Sequence, residues 1–321
     1  MAFSSRSYDP HGNSFPNAAQ LALAYDAERL RKELAAFRSQ RGNVFSAASG
    51  QRVLPLRSIG GDPYRVDSGG PSLSGFQDTR WLEHLPAFRE ILAGLPAPVR
   101  GARLWAVGPG VRDTGLQSLK VGPPWGLCRL HLPVAVPSAS LVVFVEESHH
   151  WAAGTLQFAA SWRSHAIVNH DAEELIHLVV DLCHTEATTA LFPPQLQEWL
   201  AGPQALRLRP AVPLPATAGE RFRCRFRVPE SFANWEGLGH QMLVERGGGF
   251  TEAEIEVRSA GTVLVLAGRP FCALEHIGQG EFRLCGWSDE RTLQVSGPAE
   301  AAVVLRIREG GNTYKMKVPR S

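Results

Sequence analysis

Four segments in the middle of the chain decide its architecture: CRLHLPVAVP (residues 128–137), VFVEESHHWAAG (143–154), SHAIVN (164–169) and LIHLVVD (175–181). Each is a short apolar run closed by turn residues, the pattern of β-strands rather than helices. In the first, alternation puts Arg129, His131 and Pro133 on one face and Leu130 and Leu132 on the other. Arginine on a buried strand face is costly without an anion, so this face is expected to meet an acidic group. Seven of the eleven histidines fall between His131 and His184, five of them inside these segments.

Outward from this centre the texture changes on both sides. Residues 17–38 carry Leu23, Ala27, Leu30, Leu34 and Phe37 at three- and four-residue spacing, which predicts a helix. Residues 39–75 are rich in Gly, Ser and Pro and read as loop with short strands. Trp81, Leu85, Phe88 and Leu92 share a face of a second helix over 79–93, and a short helix is expected at 194–200. Pro210, Pro213 and Pro215 mark a stiff connection. Beyond it, RFRCRFRVP, HQMLVER, AEIEVRS, TVLVLA, FRLCGW, RTLQVSG, AAVVLRIRE and TYKMKVP read as strands of a β-sandwich-like domain or small barrel. Gly247-Gly248-Gly249 lacks the following Lys-Ser/Thr of a phosphate loop and reads as a hairpin turn.

Composition narrows the function classes. With 31 glycines and 23 prolines in 321 residues, about one residue in six is a turn former, which disfavours a helical bundle. A net charge of +2 gives no electrostatic reason to expect nucleic acid or a membrane surface as partner. No apolar run reaches the ~18–20 residues of a membrane span, and the first residues lack the apolar core of a secretion signal. Five cysteines with no CxxC spacing read as free thiols in a reducing compartment, so a cytoplasmic location is expected.

The central segments, in series, resemble the aspartyl/asparaginyl β-hydroxylase family and the related proline hydroxylases. The resemblance is carried by Pro109-Gly110, Arg129 and His131, Trp151 and Gly154, His165 and Asn169, and Asp181, in that order. It implies a mainly β chain with N-terminal helices: a double-stranded β-helix (cupin-like jelly-roll) barrel followed by the second β domain. The expected organisation is an N-terminal helix and loop region (1–75) packing on the barrel, the barrel itself (76–205), a Pro-rich linker (206–216) and the C-terminal β domain (217–321). The resemblance also implies Fe(II) and 2-oxoglutarate, with hydroxylation of an amino acid or peptidyl side chain. His165 matches the distal iron ligand, and Arg129 and His131 match the strand that contacts 2-oxoglutarate.

The chain departs from the family at three places. The proximal iron histidine is expected in VRDTGLQSLKVG (111–122), which has none; Gln117, Ser118 or Lys120 takes its place. An Asp-Asp pair before the distal histidine is replaced by Ala159-Ala160, and the second 2-oxoglutarate arginine by Leu175. His177 lies on the same strand face as Leu175 and offers a hydrogen-bond donor to the oxo-acid instead. His131, His165 and His177 on adjacent strands form an alternative ligand set for zinc or iron. Two readings follow: an iron oxygenase, or a degenerate barrel that binds a small acidic or peptide ligand without oxidation. The C-terminal β domain would suit a protein or peptide partner.

Overall fold

The computed structural model describes residues 15–42, 44–48, 51–111, 115–145, 147–244, 249–259, 261–295 and 301–321. Gly247 and Gly248 of the expected hairpin turn lie outside them. The chain forms two compact units: Met1–Ser68, Phe76–Gly122 and Leu127–Gly202 make the first, and Gly69–Gly75, Pro123–Gly126 and Pro203–Ser321 the second.

The first unit contains eleven strands among the described residues. They are β1 (Ala18–Ala24), β2 (Ser46–Ala48), β3 (Gln51–Ile59), β4 (Phe76–Asp78), β5 (Val99–Val107), β6 (Leu127–Ala135), β7 (Ser140–Phe144), β8 (Ser148–His149), β9 (Thr155–Ala159), β10 (His165–Asn169) and β11 (Leu175–Cys183). The large sheet runs β1-β9-β6-β11-β5-β3-β2, with β4 on β3, and the small sheet runs β10-β7-β8. From β6 the chain crosses to β7 and β8 of the small sheet, returns to β9 of the large one, crosses to β10 and returns to β11, which is the jelly-roll winding of a double-stranded β-helix. The four segments that open the sequence reading supply β6, β7 with β8, β10 and β11.

Both faces of β6 and β11 are buried, so these strands sort their residues by chemistry. Leu130, Leu132, Leu178 and Val180 occupy one face together with Leu104 of β5. Helix α1 (Ala27–Arg41) packs on β6 and buries Leu30, Leu34 and Phe37. The opposite face holds Arg129, His131, His177 and Asp181, all buried.

Two N-terminal expectations are corrected. The helix expected over 17–38 is two elements, because Ala18–Ala24 is strand β1, paired antiparallel with β9. Its alanines and leucines are good helix formers, but the open edge of β9 offers backbone partners that override propensity. The helix starts only after Asp26, whose carboxylate accepts from the backbone N–H groups of Glu28 and Arg29, both at 3.0 Å. The loop expected over 39–75 contains β3, a nine-residue strand. Pro55 argues against a strand there, but it falls where the β3–β5 register shifts, a position that needs no regular ladder bond. The second helix is a 3₁₀ turn (Arg80–His84) followed by α2 (Pro86–Gly94), and its expected apolar face is buried.

The second unit is one antiparallel meander: β12 (Cys224–Pro229), β13 (Phe250–Arg258), β14 (Gly261–Leu266), β15 (Arg269–His276), β16 (Glu281–Leu284), β17 (Arg291–Val295), β18 (Ala302–Glu309) and β19 (Asn312–Pro319). Arg225 and Ser321 exchange both backbone hydrogen bonds, at 3.0 and 2.9 Å, bringing the last strand back to the first. Of the two architectures open from sequence, this nearly closed sheet is the barrel-like one. Its buried face carries Phe226, Ile255, Leu264, Phe282, Leu293 and Leu305. HQMLVER, expected as strand, contains a short helix (Gln241–Val244), whereas β15 was not anticipated. The proline-rich stretch lies on this unit: Arg209 bonds Glu281 (2.8 and 3.0 Å) and Asp289 (2.6 Å), and the Val212 N–H donates to the His276 carbonyl.

The α1 contact on β6 seals the apolar side of the barrel. Replacing Leu34, 3% exposed, by Ala is expected to cost about 2–5 kcal/mol through lost transfer and an unfilled cavity. The midpoint and slope of urea unfolding measure it.

Candidate functional site

The polar face of the large sheet is set by register. Asp181 stands opposite Arg129 of β6 and Gly101 of β5; Val179 stands opposite His131 and Arg103; His177 stands opposite Pro133 and Trp105. Residues directly across on neighbouring strands project to the same side, so three strands deliver Arg103, Arg129, Asp181, His131, His177 and Trp105 to the barrel interior. The sequence reading anticipated Arg129, His131 and His177 here. It missed Arg103 and Trp105, although their alternation in ARLWAV was the signal that would have found them.

The middle of the interior is a histidine–aromatic cluster. His131 Nδ1 and His177 Nδ1 lie 3.4 Å apart, so one ring donates to the other and both are neutral. The Trp151 ring centre lies 5.4 Å from that of His131 and 5.9 Å from that of His177. Phe144 lies 5.8 Å from His165 and 5.9 Å from His149. Burial, then the neighbouring His177 and Arg129, push the His131 pKa well below the ordinary value. Burial alone takes His177 down to about 3, and burial also lowers His165 against the bond that its Nδ1 makes with the Arg163 carbonyl. The cluster is closely filled: the cavity beside it, bordered by Ser140, Val142, His149, Trp151 and His177, measures about 10 Å³. That is room for one water.

One end of the interior is ionic. Arg129 grips Asp181 with both arms of its guanidinium, Nε to Oδ1 at 2.7 Å and Nη2 to Oδ2 at 2.8 Å, and Nη2 also donates to Ser68 Oγ at 2.7 Å. Burial raises the Asp181 pKa, but Arg129, Arg103 and Arg100 override it and hold the carboxyl below its usual range. Arg103 reaches the same Oδ2 from 3.5 Å. Burial, and next the repulsion of Arg129, lower its pKa to about 10.

His165 begins β10, and its backbone N–H and carbonyl both bond residue 117, at 3.0 and 2.9 Å. Of the three residues open from sequence, Gln117 therefore occupies the position directly across from His165. An amide is a poor ligand for iron where an imidazole is needed. Among the described residues, no group of three or more His, Cys, Asp and Glu side chains is placed to hold a metal ion, so the set His131, His165 and His177 is not assembled around a common centre. Arg129 is committed to Asp181, and Leu175 is buried at 3% exposure without a charge. The residues present do not fit Fe(II) with 2-oxoglutarate, although the four residues singled out from sequence share one interior.

Two outcomes test this description. Asp181→Asn removes the carboxylate that balances the buried arginines and is expected to cost about 3–5 kcal/mol, read from chemical unfolding. The histidines predict an acid response of definite sign. Between the ordinary value of 6.5 and the folded value of about 3, the unfolded chain takes up a proton on His177 that the native state refuses. The stabilisation is therefore whole above pH 6.5 and declines as pH falls, by about 1.4 kcal/mol per unit for each such histidine. Unfolding midpoints at pH 7, 6 and 5 measure the slope, and His177→Phe is expected to lower it by one histidine's share.

Residues 116–185 match the family model "Aspartyl/Asparaginyl beta-hydroxylase". No curated protein matches the chain. Solved structures similar to it include a 2OG-Fe(II) oxygenase-family oxidoreductase from Burkholderia pseudomallei (14% identity, 50% of this chain and 79% of that one, TM-score 0.34). A Pseudomonas putida prolyl-4-hydroxylase (14%, 52% and 92%, 0.31) is another. A third is the viral collagen prolyl hydroxylase of Paramecium Bursaria Chlorella virus-1 (10%, 52% and 96%, 0.31). These likenesses are too distant to bear on chemistry. The match is confined to the segment that spans Gln117, Arg129, His165 and Asp181, which is similar to the aspartyl/asparaginyl β-hydroxylase family.

Proposed function

We propose that the barrel is a non-oxidising member of its family, a recognition module that takes the acidic end of a small or peptide ligand. The observation that carries this reading is Gln117 directly across from His165, where the oxygenase chemistry requires a second imidazole. The pairing of Arg129 with Asp181 supports it, because a guanidinium already gripping a buried carboxylate is not free for an oxo-acid.

The competing reading is an Fe(II)- and 2-oxoglutarate-dependent hydroxylase acting on an amino acid or peptidyl side chain, and the family match over residues 116–185 favours it. The two separate on one substitution. Calorimetric titration with Co(II) is expected to show no more than weak binding to the wild-type protein and at least tenfold tighter binding to Gln117→His, with that gain lost in Gln117→His/His165→Ala. Anaerobic loading with Fe(II) followed by 2-oxoglutarate and oxygen is expected to yield no succinate from the wild type. Succinate formation that disappears in His165→Ala would sink the recognition reading and restore the oxygenase.

A further inference from the structure

We infer that the ionic end of the barrel is a receptor for a ligand carboxylate, anchored on Arg103 and Ser68. The inference deepens the recognition reading by naming the anchoring groups, which lie on a strand and a loop outside the arginine–histidine strand of the family resemblance.

The first observation is an imbalance of acceptors. Arg129 and Asp181 complete each other, with two parallel bonds at 2.7 and 2.8 Å. Arg103 stands beside this finished pair with its side chain 13% exposed. Among the described residues its guanidinium makes one hydrogen bond, at 3.5 Å, to an oxygen that Arg129 already holds. A guanidinium carries five N–H donors, so Arg103 keeps most of its donors for a further acceptor, while Asp181, shared with Arg129, and Asp67 act on its charge. Asp67, the other carboxylate that acts on it, is half exposed and engaged by Arg65 at 2.8 Å. A planar carboxylate arriving at Arg103 would repeat the fork that Asp181 makes with Arg129.

The second observation concerns two further donors of the same unit. Ser68 Oγ accepts from Arg129 at 2.7 Å, which leaves its own hydroxyl hydrogen to donate. His131, 2% exposed, has an Nε2 atom without any hydrogen-bond partner. In the tautomer where His131 Nδ1 accepts from His177, that Nε2 carries a hydrogen. His131 offers a buried imidazole N–H without a partner and Arg103 a guanidinium with one long bond, and a carboxylate supplies two acceptors. The nearly filled centre of the barrel excludes a bulky ligand there, so it is the carboxyl terminus of a chain or the end of a small acid that fits.

The test uses the full chain with EDTA present and reads the thermal midpoint against acetate, succinate and inorganic phosphate. Acetate and succinate are expected to raise the midpoint by a few degrees, saturably, in wild type. The shift is expected to vanish in Arg103→Met and to shrink in Arg103→Lys, which keeps the charge but loses the fork. Arg103→Met without ligand is expected to keep a cooperative melt, because Asp181 retains its two-armed bond to Arg129, so loss of the shift is not loss of the fold. An undiminished shift in Arg103→Met, a response to phosphate alone, or no response to any of the three overturns the assignment. A shift that appears only with added Fe(II) overturns it and the recognition reading together. Carboxylate binding that survives Arg103→Met leaves the recognition reading standing and removes only this anchor.

Discussion

The fork between Arg129 and Asp181 is the interaction on which the barrel interior depends. Each ion alone would lose several kilocalories per mole of hydration on burial, and only close, two-armed geometry in a low-dielectric site offsets that loss. The geometry is available because β6 and β11 are antiparallel neighbours whose register puts residue 129 opposite residue 181. A shift of one residue would turn Arg129 and Asp181 onto the apolar side under α1 and bring Leu130 and Val180 inside. The ion pair and the leucine face therefore specify the same register from opposite sides of one sheet.

This fork also governs the histidines. Positive charge at Arg129 adds to desolvation in keeping His131 neutral, and a neutral His131 can share a hydrogen with His177 at 3.4 Å. Neutral rings pack against Trp105 and Trp151 without a counter-ion. What in another context would be a set of metal ligands is here a packed aromatic layer, with about 10 Å³ of free space beside it against the several hundred Å³ typical of a small-molecule pocket.

The two-faced strands were legible because burial on both sides leaves an unmistakable alternation: Arg129 and His131 against Leu130 and Leu132. The part of the fold that escaped was where a non-local partner outweighed a local signal. Ala18–Ala24 reads as helix until β9 supplies an edge, and Pro55 argues against β3 until the register shift absorbs it. The site was legible as a set of residues and not as a geometry. Sequence left Gln117, Ser118 and Lys120 as equal candidates for the missing histidine's place, because the segment before them has no regular strand pattern to count along. A single bridge sets Gln117 directly across from His165, a pairing that no local pattern announces. Arg103 was passed over because one strand cannot reveal that its neighbour's arginine already holds the carboxylate that Arg103 reaches.

The second unit shows how this same chain treats arginines that have only a structural task. Arg209 bonds two carboxylates, Glu281 and Asp289. Arg308 bonds Glu281, the Thr292 hydroxyl and the Asp289 carbonyl, at 2.6, 2.8 and 3.1 Å. Arg291, fully buried, donates to the carbonyls of Phe232, Asn234 and Gly237 as well as to Glu290. In each case the donors are met several times over, as burial of a charge demands. Arg103, buried to a similar depth as Arg308, has one long bond to a shared oxygen. Arg306 too leaves a buried Nη1 without a partner; what sets Arg103 apart is its place at the polar end of the barrel, where a ligand's carboxylate would supply the missing acceptors.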